Sequence, residues 1–168
     1  MSAASGDPFD TSPNRWMPVR PSPDGSYAVD LGPNERDFLR SVAEELRTLL
    51  LETDGPLLQR LFPPPYGDDT ERNEGYAALA RPELVDHRLE SLDVLVASVQ
   101  AATLDEDELA AWMRSINDVR LVLGTVLDVG EEEPDELEVD EQELPTRQAY
   151  EFLTELLDVI VVARAQRL

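Results

Sequence analysis

His87 is the only histidine in the chain, and carboxylates stand where a helix would bring them beside it: Glu83 four residues before, Glu90 three after. Imidazole flanked by carboxylates is the beginning of a metal site or of an acid–base pair. A carboxylate-bridged di-metal bundle needs a second Glu-x-x-His motif on another helix, and no second histidine exists. There is no cysteine either, which removes thiolate zinc sites, cysteine nucleophiles, disulfides and thiol redox switching together. The acidic stretch 130–145 lacks the alternating Asp pattern and the glycine of a calcium loop. No phosphate-binding glycine loop, nucleophile elbow or Ser/His/Asp set is present. The expectation is a solvated face around His87, no cofactor, no metal and no catalytic residue.

Arginine offers a second kind of chemistry. Arg88 follows Leu84 by four and precedes Leu92 by four, and Arg120 follows Ile116 by four, so both fall at the edge of apolar stripes. A guanidinium there must snorkel or meet a carboxylate, because an unpaired buried charge is prohibitively costly. Asp93 and Asp118 are the candidate partners. Structural pairing is the expected role for Arg88 and Arg120; the alternative is an anion- or ligand-binding site, which converging carboxylates would turn into a cryptic enzyme.

These residues sit in a chain of 168 residues with 36 acidic and 14 basic side chains, a formal net charge of −22. All the basic residues are arginine. A field of that sign repels phosphate, so direct nucleic-acid binding would need a local basic patch. No basic start leads into an apolar run, and no uncharged stretch reaches about 18 residues, so neither a secretion signal nor a membrane span is expected and the cytoplasm is the default.

The elements that must carry these side chains are mostly helical. Residues 1–14 are small, polar and proline-punctuated and are expected to be a disordered tail, with 15–168 forming one helical domain. Tyr27, Val29 and Leu31 alternate with smaller or polar residues, and Pro21, Pro23, Asp24 and Gly25 supply a turn before them. That predicts a small N-terminal β-hairpin with the first strand, near Pro18, at an edge. Phe38, Leu39, Val42, Leu46, Leu49 and Leu50 define a helical stripe that Gly55-Pro56 ends through a left-handed cap. A short helix is predicted within Asp68–Ala80 with Tyr76 and Leu79 inward, and a separate helix from Pro82 with Val85, Leu89, Leu92, Leu95, Val96 and Val99 inward. Thr103 and Glu106 read as a capping box opening a further helix through Leu109, Trp112, Met113, Ile116, Leu123 and Leu127. Residues 130–145 read as an acidic loop or insertion, and the last helix as starting near Thr146. The fold class is mostly α: a helical bundle with a small β-hairpin.

The last helix is apolar all round from Val159 to Ala163. Such a helix is either central or covered by another subunit. Phe152, Leu156, Val159, Ile160 and Val162 are thus the candidate interface with a second copy or another protein.

Two phrases carry more than composition: Arg60-Leu61-Phe62-Pro63-Pro64-Pro65-Tyr66, and Ile116-Asn117-Asp118-Val119-Arg120-Leu121-Val122-Leu123-Gly124-Thr125. With the Arg81-Pro82-Glu83-Leu84 segment and Tyr150 and Phe152 in the last helix, they resemble an actinobacterial family of unknown function. Its genes often lie beside that of the Clp-protease adaptor ClpS, and some members are described as AosR-type oxidative-stress transcriptional regulators. The resemblance implies a regulatory role and supplies no catalytic residues. Thiol-based sensing is closed to this chain; oxidation of Met17 or Met113 is the remaining sulfur chemistry. The resulting expectation is a non-enzymatic regulator acting through protein contacts, in transcription or Clp-linked proteolysis. A direct DNA-binding regulator is the alternative, disfavoured by charge, and an enzyme with a cryptic Arg/carboxylate site comes third.

Overall fold

The computed structural model describes residues 15–52, 55–127 and 141–167. The 1–14 tail and most of the acidic stretch 130–145 lie outside them. Two short strands, β1 (Val19–Pro21) and β2 (Tyr27–Val29), open the fold; helix α1 (Pro33–Glu52), a 3-10 turn (Pro56–Leu58), helix α2 (Thr70–Ser98), strand β3 (Thr103–Leu104), helix α3 (Glu106–Val126) and helix α4 (Leu144–Ala165) follow. The fold is mostly helical, as the periodicities predict.

β1 and β2 pair antiparallel with Val19 opposite Val29 and Pro21 opposite Tyr27. The turn between them is built on Asp24, whose Oδ1 accepts from the Ser26 amide at 2.9 Å, and on Gly25 at φ 96°, a left-handed conformation that glycine adopts without penalty. β1 lies at the sheet edge as expected, but the sheet has a third strand. β3 adds to β2, with Tyr27 opposite Leu104. Thr103 is therefore a strand residue and not a helix cap. The capping box lies two residues further on: Asp105 accepts from the Glu108 amide at 2.8 Å, and Glu108 accepts from the Asp105 amide at 2.9 Å.

Four other expectations need correction. Asp68–Ala80 and the segment from Pro82 form one helix, α2, with Pro82 inside it. Proline removes one i→i−4 hydrogen bond, and here Pro82 and the Ala78 it would have served are both exposed, where water can take the orphan carbonyl. Tyr76 and Leu79 do not point inward; they are 41% and 86% exposed. Gly55 is extended (φ −67°, ψ −178°) and introduces the 3-10 turn, so it provides no left-handed cap. The last helix also starts earlier than expected, at Leu144, with Pro145 in its first turn.

One cluster of buried side chains joins all these elements: Tyr27 and Val29 from the sheet, Leu39 and Leu46 from α1, Leu92 and Leu95 from α2, Leu109, Trp112 and Ile116 from α3, and Leu153, Leu156 and Ile160 from α4. α4 packs on α3 and on β1 through Leu153, Leu156, Val159, Ile160 and Ala163 and leaves Glu151, Glu155, Asp158 and Val161 exposed. Among the described residues no helix is long and apolar enough to cross a membrane.

Arg36 ties sheet to helices. From the first turn of α1 it donates to the carbonyls of Val29, Leu31, Val99 and Ala101 at 2.8–3.0 Å. It thereby satisfies backbone acceptors at the end of β2 and beyond the C-terminus of α2 at once. Arg36→Ala should cost about 2–3 kcal/mol in urea unfolding, since hydrogen bonds to a charged group are individually strong and several carbonyls lose theirs together. Arg36→Lys should recover only part, because a single ammonium lacks the fork that spans this set.

Candidate functional site

The phrases that stand out in the sequence meet in space. Arg88, on α2, forms an ion pair with Asp118 on α3 and donates to the Leu61 carbonyl at 2.8 Å. Its guanidinium also lies 5.2 Å from the centroid of the Phe62 ring, and that of Arg81 lies 4.4 Å from the same ring. Arg60 reaches α3 beside Gly124: a Cβ placed there would come within 2.8 Å of its Nη1 and 3.4 Å of the Tyr150 ring. The absent side chain at 124 is what admits the guanidinium. The arginine–leucine–phenylalanine–proline phrase is thus clasped onto α2 by Arg81 and Arg88 and reaches α3 beside Gly124.

Asp118 is buried, and burial pushes its carboxyl above the ordinary range, with Arg88 pulling in the opposite direction. Of the two candidate partners, Arg88 takes Asp118; Asp93 pairs with Arg47 at 3.0 Å. Arg120 donates to Asn117 Oδ1 at 3.1 Å on its own helix. Arg88 and Arg120 therefore do not converge on one ligand through these contacts. His87 sits between Glu83 and Glu90, 3.7 Å from each, on an exposed face. Among the described residues no three His, Asp or Glu side chains are grouped to hold a metal.

Below the clasp the proline run stands off α2 and leaves a groove of about 660 Å³, walled by Phe62 and Pro63–Pro65 on one side and by Tyr76, Ala77 and Leu84 on the other. Both ends of the loop are anchored. Leu61 is buried in the core and bonded to Arg88. At the far end Asn73 accepts from the Tyr66 amide and donates to the Gly67 carbonyl, each at 3.0 Å, where Gly67 turns with φ 56°. Tyr66 stands edge-on to Tyr76, their centroids 6.4 Å apart, and both are exposed. A proline triplet has little conformational freedom, and with both ends anchored the loop holds the shape of the groove. On the other side of Arg88 a groove of about 730 Å³ runs between α2 and α3, with His87, Glu90, Asp105, Glu108 and Arg114 along it. Its lining is mixed in charge, and Arg114 is already bonded to Ser91 Oγ at 3.0 Å.

Of the candidate interface on α4, Leu156, Val159 and Ile160 are inside the core of the chain itself, so they are not available to a partner in this fold. Phe152 is partly buried between Trp16 and Phe38, at 5.8 and 5.5 Å between centroids. Val162 is half-buried, and the half-exposed Val161 is the side chain of that stretch that reaches solvent. Most of the apolar stretch of α4 therefore serves the core of the chain, and Val161 is the part of it that the fold leaves half exposed. Sequence reasoning missed the groove because Tyr76 was placed inward; the signal was present in the unusual Phe-Pro-Pro-Pro-Tyr run.

Proteins named "Oxidative stress regulator AosR" from Mycobacterium tuberculosis (strain ATCC 25618 / H37Rv) and Mycobacterium bovis are each 24% identical to this chain over an alignment 188 positions long, covering 88% of it and 86% of the relative. No solved structure matches the chain. The family described as "Domain of unknown function (DUF2017)" matches residues 16–164, which takes in the clasp, the groove and all four helices, and the chain belongs to it.

Proposed function

We propose that this protein is a non-enzymatic regulator of an oxidative-stress response that acts by contact with another protein. The observation that carries the reading is the preorganised apolar groove between Pro63–Pro65 and α2. Of its lining, Phe62 packs against the core, while Pro63–Pro65 and Tyr76, the last 41% exposed, present apolar surface that the core does not use. The relatives' names supply the process. The reading invokes no thiol switch, because the chain has no cysteine. Direct DNA binding has weaker support: Arg36, Arg88, Arg164 and Arg167 are engaged with carbonyls or carboxylates of the chain itself.

The test is complementation in the native host after deletion of the gene, with transcript levels read after peroxide challenge. Ala77→Arg, which fills the groove, should leave thermal stability nearly unchanged, as surface substitutions do. It should fail to restore the response, whereas Glu44→Ala on the exposed face of α1 should restore it. Full complementation by Ala77→Arg would overturn the proposal.

A further inference from the structure

We infer that the groove receives a segment of a protein partner that carries a carboxylate beside an apolar side chain. The inference rests on the partner-binding reading above and adds the chemistry of the partner.

The pointer is Arg81. It is half-buried at the groove wall, its guanidinium stacked on Phe62, and it makes no ion pair or hydrogen bond among the described residues. That is conspicuous in a chain with 36 acidic residues to 14 basic ones. The neighbouring arginines are occupied: Arg88 by Asp118 and the Leu61 carbonyl, Arg72 by Asp69 at 3.7 Å and by the Tyr66 ring. Arg81 therefore has donors to offer, and stacking on Phe62 holds the guanidinium plane in place, which favours a planar, bidentate acceptor such as a carboxylate.

The groove is also polarised. Glu74 lines it as well, seven residues before Arg81 and hence about 10 Å away along the helix axis. An apolar side chain between Pro64 and Ala77 with its carboxylate at the Arg81 end satisfies both the apolar walls and the guanidinium that has no acceptor among the described residues. A basic segment would meet Arg81 with like charge and leave it unpaired. The strongly negative field of the whole chain slows the approach of an acidic partner, so recognition depends on this local contact and not on long-range steering.

The experiment is panning of a phage-displayed random dodecapeptide library on the full chain, followed by fluorescence anisotropy with the enriched peptides. Enriched sequences should carry Asp or Glu beside an aromatic or aliphatic residue, and Ala77→Arg should abolish their binding. Arg81→Glu should weaken binding about tenfold or more, the loss of one charge-assisted contact, and Lys in place of the peptide's acid should restore it. The reversal matters, because a purely structural role for Arg81 on Phe62 would give loss without rescue. Enrichment of Lys- or Arg-rich peptides that Ala77→Arg still blocks would overturn the acidic partner while leaving the groove as a contact site. Peptides indifferent to Ala77→Arg would overturn both. A concentration-dependent dimer in sedimentation, abolished by Ala77→Arg, would make a second copy the occupant and sink the inference.

Discussion

Arg88→Ala should destabilise the protein by about 3 kcal/mol at neutral pH, toward the lower end of the range for breaking a buried ion pair because the Arg88 side chain is 25% exposed. The loss comes mainly from what stays behind. Asp118 is 4% exposed, and without Arg88 its charge is opposed only by the weaker influence of Arg114. The Leu61 carbonyl loses its donor as well, so the proline loop loses its anchor on α2. Asp118→Asn in the same background should recover part of the loss, since a neutral amide tolerates burial better than an unpaired carboxylate. The pH dependence has a definite sign. Asp118 has a folded pKa raised above its ordinary 3.8, so the folded state holds the proton more tightly than the unfolded chain. Stability from such a group is greatest below the unfolded value and declines as pH rises through the folded one. Removing Arg88 raises the folded value further and extends that decline upward. The gap between variant and native protein should therefore be full at pH 7 and narrow as pH falls through the carboxylate range. A gap in urea-unfolding free energy that stays constant with pH would mean that Asp118 is not the group left stranded.

How much of this was legible beforehand depends on whether the cause was local. The hairpin was legible because Pro23, Asp24 and Gly25 specify a turn by their own chemistry, and Val29 and Leu31 alternate correctly. α1 and α3 were legible because their apolar residues recur at helical period over long stretches. β3 was not. Two residues have no period, and Thr103-Leu104 is a strand only because β2 is there to pair with it. Pro82 misled for a related reason: its penalty is local, but α2 continues because the affected turn faces water while Leu92 and Leu95 further along bury the helix. The site divides the same way. That Arg88 needs a carboxylate followed from its place on the stripe, but choosing Asp118 over Asp93 required knowing that α2 packs on α3. The groove depends on which face of α2 is left uncovered, and no periodicity records an absence of neighbours.

Trp112 provides the other large effect, and it separates packing from hydrogen bonding in the middle of α3. The side chain is fully buried, and its Nε1–H donates to Ser98 Oγ at 2.8 Å, while that hydroxyl donates to the Val94 carbonyl at 2.6 Å. This chain of donors fixes the last turn of α2 against α3, at the point from which the polypeptide leaves for β3. Trp112→Ala should cost about 3–5 kcal/mol, the usual loss when a large aromatic is deleted from a core that cannot collapse. For a protein of this size that corresponds to a melting temperature lower by about 6–20 °C. Ser98→Ala should cost about 1–3 kcal/mol, because it strands the indole N–H in an apolar setting. Trp112→Phe removes the donor and much less volume, and the Ser98 hydroxyl keeps its bond to Val94. In the Trp112→Phe background, then, Ser98→Ala should cost clearly less than it does in the native protein. Thermal melts of the four proteins in that cycle measure the coupling directly. Additive losses would show that Ser98 acts only on its own helix, and that packing alone holds the end of α2 to α3.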